Sequence, residues 1–366
     1  MMRAYLDHNA TSPLKPAARH AMLAALEEGG NASSIHSEGR SARNRIEAAR
    51  EAIAAELGVL TPMVIFTSGG TEANNLALKG LGLDRLIISA IEHPCVREAA
   101  RASGMPVDLI PVDANGVADL EALKTLVAKP GKALVSLMMA NNETGVLQPV
   151  AEAAAITHAH GGLLHTDAVQ VLGKQPLRFP LIGADLMTLS AHKLGGPLGA
   201  GALIIRDGLP LIPLLDGGGQ ELRRRAGTEN APAIAGFAAA LGNLPKEISS
   251  LRDNLESLIQ AATPAAVFFG QAAPRLSNTT CFALPGLAAD TALISLDLDG
   301  VSVSSGSACS SGKVGRSHVL AAMGVEENIA KGAIRVSLGW NSSVQDVDQF
   351  IAAWKRAATR AKQKAA

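Results

Sequence analysis

Aromatic side chains are scarce in this chain: Phe, Tyr and Trp make up 3% of its 366 residues. Its core must therefore be built largely from Ala, Leu, Val and Ile. Cysteine is sparse too. Cys95, Cys281 and Cys309 are odd in number and far apart, which excludes a disulfide framework. With no CxxC pair and no neighbouring His ligands, a zinc site is excluded as well. A reducing compartment is the default. Charge of neither sign is in excess, because 33 basic residues balance 33 acidic ones, so nothing electrostatic favours nucleic acid or a membrane surface as partner. No uninterrupted apolar run is long enough to span a bilayer. The opening Met1-Met2-Arg3-Ala4-Tyr5-Leu6-Asp7 reaches an acid before any apolar run, unlike a signal peptide. Internal repeats and low-complexity segments are missing. The expectation is a cytoplasmic protein.

What is present is a globular composition, 48% hydrophobic and 18% charged, in a chain long enough for a sizeable core and two structural units. From about Val64 to Arg206, β-rich runs alternate with helix-like pieces. The expected strands are Val64–Thr67, Leu86–Ala90, Leu109–Val112, Ala133–Met138, Leu163–Thr166, Leu186–Leu189 and Ala202–Ile205. Between them lie amphipathic segments such as Glu72–Lys79, Leu120–Ala128 and Ala151–His160. This alternation predicts an α/β fold with a mostly parallel sheet covered on both faces. Ligands of such sheets bind outside the carboxyl ends of the strands. After Gly227 the pattern becomes a long helical stretch, about Ala231–Ala262. Strands near Ala266–Phe269, Asn278–Ala283, Val301–Ser304 and Ile334–Leu338 follow, then a last helix from Val344 to about Lys362. This reads as a second, α+β unit joined by the N-terminal segment.

The polar residues at the expected strand ends are the candidates for chemistry. Phe66-Thr67-Ser68-Gly69-Gly70-Thr71-Glu72 leaves a strand and opens a helix, a setting for a phosphate on free N–H groups or for an ordinary turn capped by Thr71. No Gly-Lys-Ser/Thr follows, so it is not a P-loop. Asp167 ends another strand and could pair with a ring nitrogen or cap a helix; His165 beside it reads as packed in the strand. Ser190-Ala191-His192-Lys193 puts a lysine at a strand end before glycines. A Schiff-base amine there needs partial desolvation, whereas a solvated lysine is the ordinary alternative. Asn142 in Asn141-Asn142-Glu143-Thr144-Gly145 could donate to a ligand or belong to a polar turn. His93 could stack on a flat ring and shuttle protons as a catalytic group, or be structural. Arg335 in Ala333-Ile334-Arg335-Val336-Ser337 could meet an anion or face solvent on an edge strand. Cys281 reads as inert core and Cys95 stays open. Cys309, in Ser304-Ser305-Gly306-Ser307-Ala308-Cys309-Ser310-Ser311-Gly312, reads as an accessible thiol.

Together these motifs resemble the NifS/IscS-type cysteine desulfurases of the class V aminotransferase group of pyridoxal-phosphate (PLP) enzymes. The resemblance runs from Tyr5-Leu6-Asp7-His8-Asn9-Ala10-Thr11 through Ile35-His36-Ser37-Glu38-Gly39-Arg40 to Ile334-Arg335-Val336-Ser337-Leu338-Gly339, nearly the whole chain. Ala32 stands where the family usually has proline. The resemblance implies the PLP-dependent transferase (aspartate-aminotransferase-like) fold, with a large domain over residues 15–245. Residues 1–14 and 246–366 would form a smaller domain carrying the cysteine loop. It implies that Lys193 holds PLP as a Schiff base, Asp167 pairs with the ring nitrogen, and His93 stacks on the ring. Asn142 and Gln170 would contact the ring oxygen. Gly70, Thr71, Ser190 and His192 would hold the phosphate, with Thr228 reaching it from the partner of a homodimer. Arg335, Asn31 and Asn142 would bind the carboxylate of L-cysteine. Cys309 would take the sulfur as a persulfide for an acceptor protein, an iron–sulfur scaffold or a thiolation relay. The alternatives are a selenocysteine lyase and another class V aminotransferase.

Overall fold

The computed structural model describes residues 3–306 and 317–365. Among them the strands are β1 (Ala4–Tyr5), β2 (Val64–Thr67), β3 (Arg85–Ser89), β4 (Val107–Ile110), β5 (Ala133–Ser136), β6 (Leu163–Asp167), β7 (Leu186–Ser190), β8 (Gly201–Ile205), β9 (Val267–Phe268), β10 (Thr279–Ala283), β11 (Val301–Ser302), β12 (Ser304–Ser305) and β13 (Ala333–Ser337). The largest sheet has the order β2-β8-β7-β6-β5-β3-β4. Strands β4, β3, β5, β6 and β7 pair in parallel. Only β8 runs against its neighbours, β2 and β7. β2 therefore points the same way as β7, and the carboxyl ends of β2 to β7 open on one edge.

The two-residue period of a strand explains the two-sided cover. In β8, Leu203 and Ile205 enter one core, whereas Ala202 and Ile204 enter the other. Leu134 of β5 likewise opposes Ala133 and Val135. One face carries helices Gly70–Lys79 and Pro94–Arg101, through Ala73, Leu76, Ala77, Val96, Ala99 and Ala100. The other carries Ser37–Leu57, Val150–Ala159 and Ala231–Ala239, whose buried positions are mainly alanine and isoleucine.

A second, antiparallel sheet has the order β12-β13-β10-β9. It gathers several of the few aromatic rings. Phe282 of β10 packs edge-on against Trp354 of helix Val344–Ala365, ring centroids 5.1 Å apart. The buried indole N–H donates to Thr263 Oγ1 at 3.1 Å, so the polar end of this side chain is satisfied. β1 pairs in parallel with β11, which ties the N-terminal segment to the C-terminal part of the chain.

Three expectations are corrected. The helical stretch over 231–262 is two helices, Ala231–Ala239 and Glu247–Ala262. Gly242 between them takes φ 116°, and Pro245 follows; neither continues a helix. The strand expected at 301–304 is split, because the chain changes partner at Val303: β11 joins β1 and β12 joins β13. β4 begins two residues earlier than expected, and Val112 makes only an isolated bridge to Ala118. No helix among the described residues is long and apolar enough to cross a membrane.

Candidate active site

The turns at the carboxyl ends of β2, β3, β5, β6 and β7 meet around one cavity of about 290 Å³. Beyond β7 a single tight helical turn, Ala191–Lys193, presents Lys193 to the cavity. Its Nζ donates to the carbonyls of Asn9 and Ala10, both at 2.7 Å. At the end of β6, Asp167 Oδ2 accepts from Asn74 Nδ2 at 2.7 Å, and Oδ1 accepts from the backbone N–H of Val169 at 3.0 Å. These two donors hold the carboxylate in one orientation.

Beyond β2 the chain turns sharply at Gly69, φ 154°, and helix Gly70–Lys79 starts at the cavity wall. This turn requires glycine. A Cβ on Gly201 of β8 would stand 2.6 Å from the Gly69 Cα, so the turn lies directly on the strand. The start of the helix is braced by Glu72, which accepts from the Ser68 backbone at 2.8 Å and from Arg225 Nε at 2.9 Å. Unpaired N–H groups at such a start, with the helix dipole behind them, suit an anion. Beyond β3, His93 caps helix Pro94–Arg101, its Nδ1 accepting from the Cys95 backbone at 3.2 Å.

Arg335 enters from the other sheet. It lies on β13, an interior strand between β12 and β10, and is 1% exposed, so it does not face solvent on an edge. Nη2 donates to Asp7 Oδ1 at 2.7 Å and Nη1 to the Asn142 carbonyl at 3.0 Å. Nε is buried with no partner among the described residues. Behind the cavity lies a second buried amine, Lys174, donating to Asn9 Oδ1 at 2.7 Å and Gln170 Oε1 at 2.6 Å. Burial holds its pKa well below the ordinary lysine value, and the charges of Lys193 and Arg335 add to the effect. Burial pushes His192 down to about 4, again with Lys193 and Lys174 contributing. Burial also lowers His93, with Lys193 adding and Asp167 opposing. Both imidazoles are therefore neutral near pH 7. Lys193, Lys174 and Arg335 thus gather among four acids, Asp7, Asp167, Glu92 and Glu143.

Of the residues singled out from sequence, Lys193, His93, Gly70, Thr71, Asn142, Asp167, Gln170, Ser190, His192 and Arg335 line the cavity. Asn31 and Thr228 do not; both are exposed. Cys309 lies outside the described residues. His165 is packed as expected, between Ser136 Oγ at 2.9 Å and Thr188 Oγ1 at 3.0 Å. Burial pushes it down to about 3. Cys281 is core, its thiol pushed up by burial. Sequence reasoning gave no role to Asn9, Asn74, Cys95 or Lys174. Asn74 was within reach of a helical reading, being three residues beyond Thr71 and hence on the same face. The pairing of Asn9 with Lys174 carried no local signal, since the two lie 165 residues apart.

The doubly covered sheet, with an amine, a carboxylate and a helix start converging at its strand ends, is the fold of the PLP-dependent transferases. The residues present fit that cofactor: the cavity offers a primary amine, an oriented carboxylate and a glycine turn with no Cβ in the way. Residues 4–350 match the aminotransferase class-V family. A cysteine desulfurase from Cereibacter sphaeroides is 43% identical, the match covering 96% of this chain and 94% of that protein. The crystal structure of a NifS-like protein from Rickettsia africae superposes with a TM-score of 0.90 at 38% identity, covering 98% of this chain and 99% of the other. A structure of SspA in complex with cysteine superposes with a TM-score of 0.83 at 31% identity, covering 93% and 100%. The chain belongs to the class V aminotransferase family and, within it, to the NifS/IscS-type cysteine desulfurases.

Proposed function

We propose that this protein removes sulfur from L-cysteine with bound PLP, leaving L-alanine and a persulfide on Cys309 for a protein acceptor, an iron–sulfur scaffold or a thiolation relay. The carrying observation is the convergence of the Lys193 amine, the Asp167 carboxylate and the Gly70 helix start on one cavity, in a chain of this family. Bound PLP supplies an electron sink for the carbon skeleton. Lys193 anchors it covalently and moves the proton at the substrate Cα. Asp167 keeps a proton on the ring nitrogen, held in place for this by Asn74. His93 covers the ring, and Asn142 and Gln170 contact the ring oxygen. Gly70, Thr71, Ser190 and neutral His192 bind the phosphate.

Arg335, with Asn142 and Asn31, takes the substrate carboxylate. The Cys309 thiolate attacks the substrate sulfur: the new S–S bond forms as the Cβ–S bond breaks, and its electron pair passes to the carbon skeleton that leaves as alanine. Thr228 is exposed and in this reading reaches the phosphate of a partner subunit in a homodimer. Residues 15–245 act as the cofactor domain, and residues 1–14 with 246–366 as the domain that brings Arg335 and Cys309 to it.

The test is the Cys309→Ala variant. Sulfide release from L-cysteine should fall at least 100-fold, the scale of losing a catalytic nucleophile, while the Lys193-dependent absorbance near the visible edge persists. Mass analysis of the intact native protein after cysteine should find one added sulfur on the Cys309 peptide. Undiminished sulfide from the variant would sink the persulfide route, and selenide release from selenocysteine alone would favour a lyase.

A further inference from the structure

We propose that Cys95 and Asn74 are positioning residues that set the tautomer of His93, placing its proton on Nε2, so that in the resting enzyme His93 is a proton donor to the cavity's occupant. Only the identity of that occupant rests on the desulfurase reading. The backbone N–H of Cys95 can only donate, and it donates to His93 Nδ1 at 3.2 Å. Nδ1 therefore offers a lone pair. Cys95 Sγ lies 2.9 Å from the same nitrogen, so there the thiol is the donor, while the Thr71 hydroxyl also bonds this sulfur and favours its acceptance of a hydrogen.

Asn74 Nδ2 completes the chain. It lies 3.1 Å from Cys95 Sγ and 2.7 Å from Asp167 Oδ2, and its two hydrogens serve those two acceptors. Turning the amide around would set Oδ1 against the Asp167 carboxylate. As oriented, Oδ1 is buried with no partner among the described residues, which shows that the Asp167 bond decides the orientation. Donation thus runs from Asn74 to Cys95 and from Cys95 to His93.

The surrounding charges agree. Burial first, then the charges of Asp167 and Glu92, push the Cys95 thiol up to about 12, so it keeps its hydrogen. The titratable groups around the ring are Asp167, Lys193 and, from helix His318–Ala322, His318. Their balance with burial leaves the imidazole neutral. A neutral ring with Nδ1 accepting carries its hydrogen on Nε2.

Nitrogen NMR of the PLP-loaded enzyme, labelled on histidine and free of substrate, tests this. The ring assigned through its loss in His93→Gln should show bare Nδ1 and protonated Nε2 near neutral pH. In Cys95→Ala one of the two donors to Nδ1 is gone. The Nδ1 signal should then move toward that of an unbonded ring nitrogen, and the acid limb of kcat/KM should shift to higher pH. Cys95→Ser, which keeps a donor, should restore both. A protonated Nδ1 in the native enzyme would overturn the proposal, as would Ala and native proteins with the same ring signals and pH limb. The tautomer is read without substrate, so an enzyme inert toward cysteine would defeat the desulfurase reading and leave this result standing.

Discussion

At the scale of single residues, Asp7 shows how a buried charge in the site is balanced. A guanidinium as buried as that of Arg335 is costly without an anion. Asp7 supplies one at 2.7 Å, and a substrate carboxylate bound to Arg335 would join or displace it. Asp7→Asn removes the carboxylate that pairs directly with the arginine. We expect a loss of about 3 kcal/mol in denaturant unfolding, and a larger gain in stability on adding L-alanine than the native protein shows. Equal gains in both proteins would mean that Arg335 does not bind the carboxylate. Lys193 and Asp167 were legible in the sequence because each ends an apolar strand, where α/β sheets place ligands. Asp7 was legible only through a family motif, because the arginine it meets lies 328 residues away.

At the scale of elements, the segment joining β8 to helix Ala231–Ala239 carries backbone strain. Glu221, Leu222 and Arg223 have φ of 46°, 56° and 65°, each costing about 1 kcal/mol for a residue with a side chain. Buried Glu221 holds the segment in place. It accepts two bonds from Arg50, both at 2.8 Å, and a third from the Phe66 backbone at 2.9 Å. The guanidinium also lies over the Phe66 ring, 4.8 Å from its centroid. Two residues further on, Arg225 binds Glu72 at the glycine turn. Glu221→Gln should lower stability by about 3 kcal/mol and speed PLP loss, as followed by absorbance after dilution. Unchanged PLP retention would uncouple this segment from the turn. The strands were legible from their two-residue alternation, whereas this clamp was not, since no local pattern marks three left-handed residues without glycine.

At the scale of the whole molecule, stability should depend on pH through Glu143. It is fully buried, Ser317 Oγ donates to it at 2.5 Å, and burial pushes its pKa up to about 7. A carboxyl raised in the folded state contributes stability that is complete below its unfolded pKa of 4.5 and lost as pH rises through about 7. Glu143→Gln removes this dependence. Between about pH 4.5 and 7 the native protein should lose on the order of 3 kcal/mol relative to the variant. Unfolding curves across that range measure the difference, and parallel pH profiles would contradict it.

The sequence by itself determined the mostly parallel sheet, the turn glycines and the strand-end residues, because alternation, turn chemistry and helix starts are local properties of the backbone. It also carried the family, through motifs spread along nearly its full length. Only the tertiary structure decided that Arg335 is interior and paired with Asp7, and that Lys174 is buried near Lys193. It alone joined Asn74 to Cys95 and to Asp167. Those relations depend on which distant side chains share a desiccated space, where each buried donor must find an acceptor and each charge a counter-charge. No spacing within the chain encodes that choice.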